Sequence, residues 1–172
     1  MTVRHYKLIK WICYFLLSIL CFALQSVAGL FSIAGVKPML LAGLAVSVTI
    51  FEEEIPACIF AAFCGFLCDM YSYDIAGYYA FMFFVYCVFI SAIVKLYMRP
   101  TFYTCILLTG LLMLLLLSVS FLFQIMVDDY ASPGQFYRTH ILTESLYTAV
   151  VSGAQFFIAE YINRRYIQKT AK

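Results

Sequence analysis

Apolar residues fill this chain in six blocks separated by short polar breaks: Trp11 to Leu30, Pro38 to Phe51, Ile55 to Cys68, Gly77 to Val94, Phe102 to Val127 and Ile141 to Ala159. A helix needs about 20 apolar residues to cross the hydrocarbon core of a bilayer. The blocks therefore predict an all-α, polytopic membrane protein with six transmembrane helices, forming one transmembrane domain over residues 1–172. The second and third blocks are the short ones, about 14 residues each, a length at which a buried or interfacial helix competes with a spanning one. They meet at Glu52-Glu53-Glu54. Stranding one charged side chain at mid-bilayer costs about 2.5 to 3.5 kcal/mol on insertion scales, so this turn is expected to face water. Pro56 suits the first turn of the helix that follows, with the glutamates complementing its N-terminal dipole. The fifth block, about 39 Å long at the helical rise, is long enough to tilt or to project beyond the bilayer.

Composition agrees with this threading and excludes a soluble fold. With 65% hydrophobic and 12% charged residues and a mean hydropathy of +0.96, the chain lacks the polar surface to wrap a water-soluble core. The first block is followed by five others and exceeds an ordinary signal-peptide core, so it reads as an uncleaved helix despite the small-x-small Ser26-Val27-Ala28. The seven cysteines lie in or beside apolar blocks with no C-x-x-C pair; they read as packed thiols, not as a disulfide or zinc framework.

Charge orients the bundle. Taking six crossings, Arg4, Lys7, Lys10, Lys95, Arg99, Arg164, Arg165, Lys169 and Lys172 fall on one side, and only Lys37 and Arg138 on the other. Basic residues mark the cytoplasmic side, so both termini and the Glu52 turn are expected there. Asp69 and Asp74 are then expected outside, together with Asp128, Asp129 and the Ser132-Pro133-Gly134 turn. The tyrosines near the ends of blocks, Tyr71, Tyr73, Tyr78, Tyr79 and Tyr130, read as an interfacial aromatic belt. A net charge of +2, with the basic residues split between distant places, gives no footprint for nucleic acid.

Candidate chemistry is sparse. His5 and His140 fall on opposite sides, and no serine sits in a nucleophile motif, so no catalytic, metal or cofactor-binding residues are read and no cofactor is expected. The patterns that stand out concern packing. Ala57, Ala61, Gly65 and Asp69 recur every fourth residue, giving the third helix a small face with an acid at its outer end. Ser145, Ala149 and Gly153 form a second small stripe on the sixth. Small residues let helix backbones approach where lipid supplies no hydrophobic drive, and the two stripes are candidates to pack together. Glu160 and Arg164, one turn apart, are placed for same-helix pairing, as are His140 and Glu144. The basic segment after Tyr161 can lie on anionic lipid.

Lys37-Pro38 leading into an apolar helix, a short polar turn, Gly65-x-x-x-Asp69, a glycine at Gly77 and then an aromatic helix resemble the rod shape-determining protein MreD family over roughly Val36 to Val94. The six-helix layout and size agree over the whole chain. The resemblance implies a non-enzymatic component of the bacterial cell-elongation and peptidoglycan-synthesis complex, a multi-pass protein of the cytoplasmic (inner) membrane. It also implies the partners MreC, MreB and the pair of the glycosyltransferase RodA and its transpeptidase, and it carries Pro38, Gly65, Asp69 and Gly77 over as motif positions. Glu52 to Glu54 match no part of it. A second class stays open, the substrate-binding membrane subunit of a vitamin transporter, which shares the general layout. That function needs polar groups converging inside the bundle, for which Gln25, Ser47, Thr49, Ser91, Gln124 and Gln155 are the candidates.

Overall fold

A computed structural model describes residues 3–27, 37–71, 77–97, 100–127 and 141–170. These form a bundle of α1 (Val3–Ser26), α2 (Leu40–Phe51), α3 (Glu54–Tyr71), α4 (Tyr78–Tyr97), α5 (Phe102–Val127) and α6 (Leu142–Thr170). No strand occurs among the described residues. Asp74, Asp128, Asp129, Ser132 to Gly134 and His140 lie outside them.

The bundle is organised around its shortest member. α2 has 12 residues, which at the helical rise is about 18 Å, well short of a hydrocarbon core of about 30 Å. It survives at that length because it is surrounded: Leu40 to Ile50 are all buried, and α2 touches each of the other five helices. A helix encased in protein need not match the lipid, since its ends are satisfied by neighbours. Thus the Met39 amide donates to Thr148 Oγ1 of α6 at 3.0 Å, and Gln155 Nε2 of α6 donates to the Leu40 carbonyl at 2.9 Å.

Among the described residues, three helical segments are long and apolar enough to cross a membrane: Lys7–Ser26, Tyr78–Leu96 and Phe102–Leu122. Each is apolar on its outer face as well. On α5, Leu108, Leu112 and Leu116 are buried while Leu107, Leu111, Leu115 and Leu122 are exposed. A helix hydrophobic all round, with an exposed leucine stripe, is suited to lipid and not to water. On α4, Phe83, Cys87, Ile90 and Val94 face inward and Phe81, Val88 and Phe89 outward.

Polar groups in this interior are largely turned to the backbone. Ser47 and Thr49 donate to the carbonyls of Gly43 and Ala45 in their own helix, at 2.7 and 2.8 Å. Two tyrosines of α4 hold α5, with Tyr78 Oη donating to the Leu116 carbonyl at 2.7 Å and Tyr86 Oη to that of Leu108 at 3.0 Å. Of the tyrosines expected in an aromatic belt, Tyr78 thus ties two helices together, and Tyr79 is buried. All seven cysteines are free thiols, and all but Cys13 are buried.

Helix limits depart from the apolar blocks at the chain ends. α1 starts at Val3, before its apolar block, and α6 runs on to Thr170, past Ala159. Arg164 and Arg165 are exposed on the later part of α6, and Arg164 pairs with Glu160 at 2.6 Å one turn earlier. Loss of hydrophobicity ends the apolar block there without ending the helix.

Candidate functional site

The motif residues Gly65, Asp69 and Gly77 come together where α3 hands over to α4. Gly77 stands immediately before α4 with φ +87°, a left-handed backbone that costs an L-residue with a side chain roughly 1–2 kcal/mol. Its carbonyl accepts the first helical bond of α4, from the Phe81 amide at 3.0 Å. Space is not the reason for a glycine here, because a Cβ would meet nothing within 4 Å.

Gly65 is a glycine for the opposite reason. A Cβ on it would lie 2.5 Å from the Tyr79 carbonyl oxygen and 2.6 Å from Ala80 Cα. Both are backbone atoms, so the start of α4 is seated directly on the α3 backbone. One turn further on, the Asp69 carboxylate reaches the same place. Oδ1 accepts from the Tyr79 amide at 2.9 Å and Oδ2 from the Ala80 amide at 3.1 Å.

The first four amides of a helix lack partners inside it, and a carboxylate beside them also complements the positive end of the helix dipole. Asp69 is thus an N-terminal cap supplied by the preceding helix, in place of the side chain that Gly77 lacks. The structure gives this acid a structural job at the seam between α3 and α4. Asp69→Ala is expected to cost about 1–2 kcal/mol, as for loss of other N-caps. Hydrogen exchange of the Tyr79 and Ala80 amides in detergent should accelerate in the variant, and unchanged protection of those amides would rule the cap out.

The remaining motif and packing positions are distributed through the bundle. Pro38 is buried two residues ahead of α2. Ala57 and Ala61 are fully buried in α3. The α6 stripe faces α5 instead of α3: Gly153 lies against the Phe102 ring, where a Cβ would come within 2.5 Å, and a Cβ at Gly110 would touch Ala149 at 3.5 Å. Ser145 donates to the Leu142 carbonyl at 3.0 Å. A close approach absent from the sequence reading is at Gly43 of α2, where a Cβ would collide with Gln155 Oε1 and lie 2.8 Å from Ser152 Cβ. One glycine amid an apolar run carried no local signal of it.

A second polar constellation stands at the other end of the bundle. Lys10 of α1 forms an ion pair with Glu52 at the α2–α3 turn and donates to Asn163 Oδ1 of α6 at 2.8 Å. Tyr14 Oη donates to Glu52 Oε1 at 3.2 Å. The paired side chains are only 13% and 10% exposed. At the same end Lys95 of α4 pairs with Glu54 at 3.3 Å, both well exposed. So the N-terminal helix, the glutamate turn, the end of α4 and the far part of α6 meet at one pole, with the α3–α4 elbow at the other. Glu52 and Asp69 form separate sites. Among the described residues, no group of three or more His, Cys, Asp or Glu is placed to hold a metal ion.

The capped glycine elbow gives a physical content to the motif that carries the resemblance. A family model, rod shape-determining protein MreD, matches residues 5–163. The chain belongs to the MreD family. That match spans nearly all of the sequence, including both poles of the bundle, and it makes the protein a member of a bacterial membrane family concerned with rod shape. No curated protein and no solved structure matches the chain.

Proposed function

We propose that this MreD-family protein is a non-enzymatic, helix-packing scaffold of the cell-elongation complex, with six membrane crossings and both termini in the cytoplasm. On this reading it joins MreC and MreB to RodA and its transpeptidase. The family match over residues 5–163 carries the proposal. The elbow supports a scaffold role, because Gly65, Asp69 and Gly77 are spent on locking α3 to α4. The transporter alternative is weakened at Ser47, Thr49 and Gln155 Nε2, which donate to backbone carbonyls, whereas among the described residues the Oε1 atoms of Gln25 and Gln155 and the Ser91 hydroxyl have no partner.

The orientation follows from the basic excess on one side. It is supported by the meeting of Lys10, Lys95, Asn163 and the glutamate turn at one pole. Depletion in a rod-shaped host tests the function. Cells are expected to round up, and unchanged shape with lost vitamin uptake would instead establish the transporter. In complementation, Asp69→Leu is expected to restore rods less well than Asp74→Leu, and equal rescue by the two would remove Asp69 from the scaffold role.

A further inference from the structure

A cavity of about 280 Å³ opens at the Glu52 pole between α1, the α2–α3 turn and α6. This is just under the range of about 300–1,000 Å³ found for sites that bury drug-sized ligands. Its floor is the Lys10–Glu52 pair with Asn163, and its apolar wall is Trp11, Phe51 and Pro56. Trp11 is fixed in that wall by an edge-on contact with the Tyr14 ring, centroids 5.8 Å apart, and a tilted one with Phe60 at 6.1 Å.

The mouth differs from the floor. Lys7 and Glu53 line it, both are exposed, and neither side chain has a hydrogen bond or ion pair among the described residues. Lys7 belongs to the α1 stripe that continues through Lys10, Trp11 and Tyr14, grading from exposed to fully buried. Among the described residues the site therefore holds two cations and two carboxylates around an aromatic wall, with one charge of each sign unpaired.

Such a cavity selects a ligand that is itself zwitterionic. An anion would meet Glu53 and a cation Lys7, whereas a neutral pair of charges satisfies both. The outer face of α1 begins beside this mouth, with Leu8, Ile12 and Leu16 exposed one turn apart. A ligand held in the cavity could lay hydrocarbon along that stripe.

We propose that the cavity binds the headgroup of phosphatidylethanolamine. Its phosphate pairs with Lys7, its ammonium donates to Glu53 beside the face of Trp11, and its acyl chains follow the apolar stripe of α1. The proposal rests on α1 lying in the membrane and is independent of the elongation complex.

The test is native mass spectrometry of the full-length protein in detergent, given equal amounts of dioleoyl phosphatidylethanolamine and dioleoyl phosphatidylglycerol. The wild type is expected to retain the ethanolamine lipid at least fivefold over the glycerol lipid. Lys7→Gln and Glu53→Gln, both at exposed positions, should each abolish that preference while leaving the melting temperature unchanged. Equal retention of the two lipids by the wild type, or an undiminished preference in both variants, overturns the proposal. Soluble phosphoethanolamine at the same concentration should not be retained. Retention of it as tight as that of the lipid would make the site one for a free metabolite and also overturn the lipid assignment.

Discussion

Gly65→Leu is expected to abolish recovery of folded protein, and Gly65→Ala to lower its stability by more than Gly77→Ala does. At Gly65 the atoms that a side chain would strike are the Tyr79 carbonyl oxygen and Ala80 Cα, at 2.5 and 2.6 Å. Neither can rotate away, as the tip of a flexible side chain could. The backbone of α4 must lift from α3, which strains the two Asp69 hydrogen bonds that hold it there. Overpacking costs typically about 1–3 kcal/mol when a core can adjust, and weakening the cap adds about 1 kcal/mol. At Gly77 there is room for a methyl group, and only the left-handed φ resists it, at roughly 1–2 kcal/mol. Melting of the purified variants, followed by accessibility of the buried cysteines to a fluorogenic thiol reagent, ranks them. If Gly65→Ala melts with the wild type, the backbone contact at the elbow is not what holds α4 in place.

The second large effect concerns the ion pair at the opposite pole, where single and double substitutions should rank against intuition. Lys10→Met or Glu52→Leu alone is expected to destabilise by about 3 kcal/mol, since removing one partner of a buried pair leaves an uncompensated charge. The 13% and 10% exposure of the two side chains places the effect at the lower end of the usual range of about 3–5 kcal/mol. Lys10→Met combined with Glu52→Leu removes both charges together and should be milder than either single change. The Asn163 amide oxygen and the Tyr14 hydroxyl then lose a partner each, so the double variant is not neutral. Additive losses in the thermal melts would show that Lys10 and Glu52 do not act as a pair. By contrast, the exposed Lys95–Glu54 pair contributes at most about 1 kcal/mol.

The six helices could be located from the apolar blocks because, in this composition, a polar break is rare enough to be informative. As a set, Gly65, Asp69 and Gly77 stand out in the sequence through the resemblance alone, and the contacts that join them do not. A sequence shows an acid four residues after a glycine; it does not show that the carboxylate reaches two amides 10 and 11 residues further along. The glutamate turn was visible as a charged break, yet the partner of Glu52 lies in α1, and Lys10 meets Asn163 across 153 residues of chain. Contacts that distant leave no local pattern.

The two small-residue stripes show a different limit. Small faces permit close packing without naming a partner, and the α6 stripe took Phe102 and Gly110 of α5. Gly43 escaped notice for the converse reason, since one glycine among leucines and alanines has no period. The extent of α6 beyond Ala159 was hidden because exposed charged residues such as Arg164 and Arg165 interrupt the hydrophobicity without interrupting the helix.

Gly77, ahead of α4, cannot cap a helix, and Asp69 performs that task from the helix before. The connecting stretch 72–76 is thereby released from a duty that interhelical segments usually carry, supplying an oxygen to the amides of the next helix. Its sequence can change without removing the cap that starts α4. The start of α4 is therefore fixed by a residue of α3, and the elbow keeps its cap as long as Asp69 keeps its bonds to the Tyr79 and Ala80 amides.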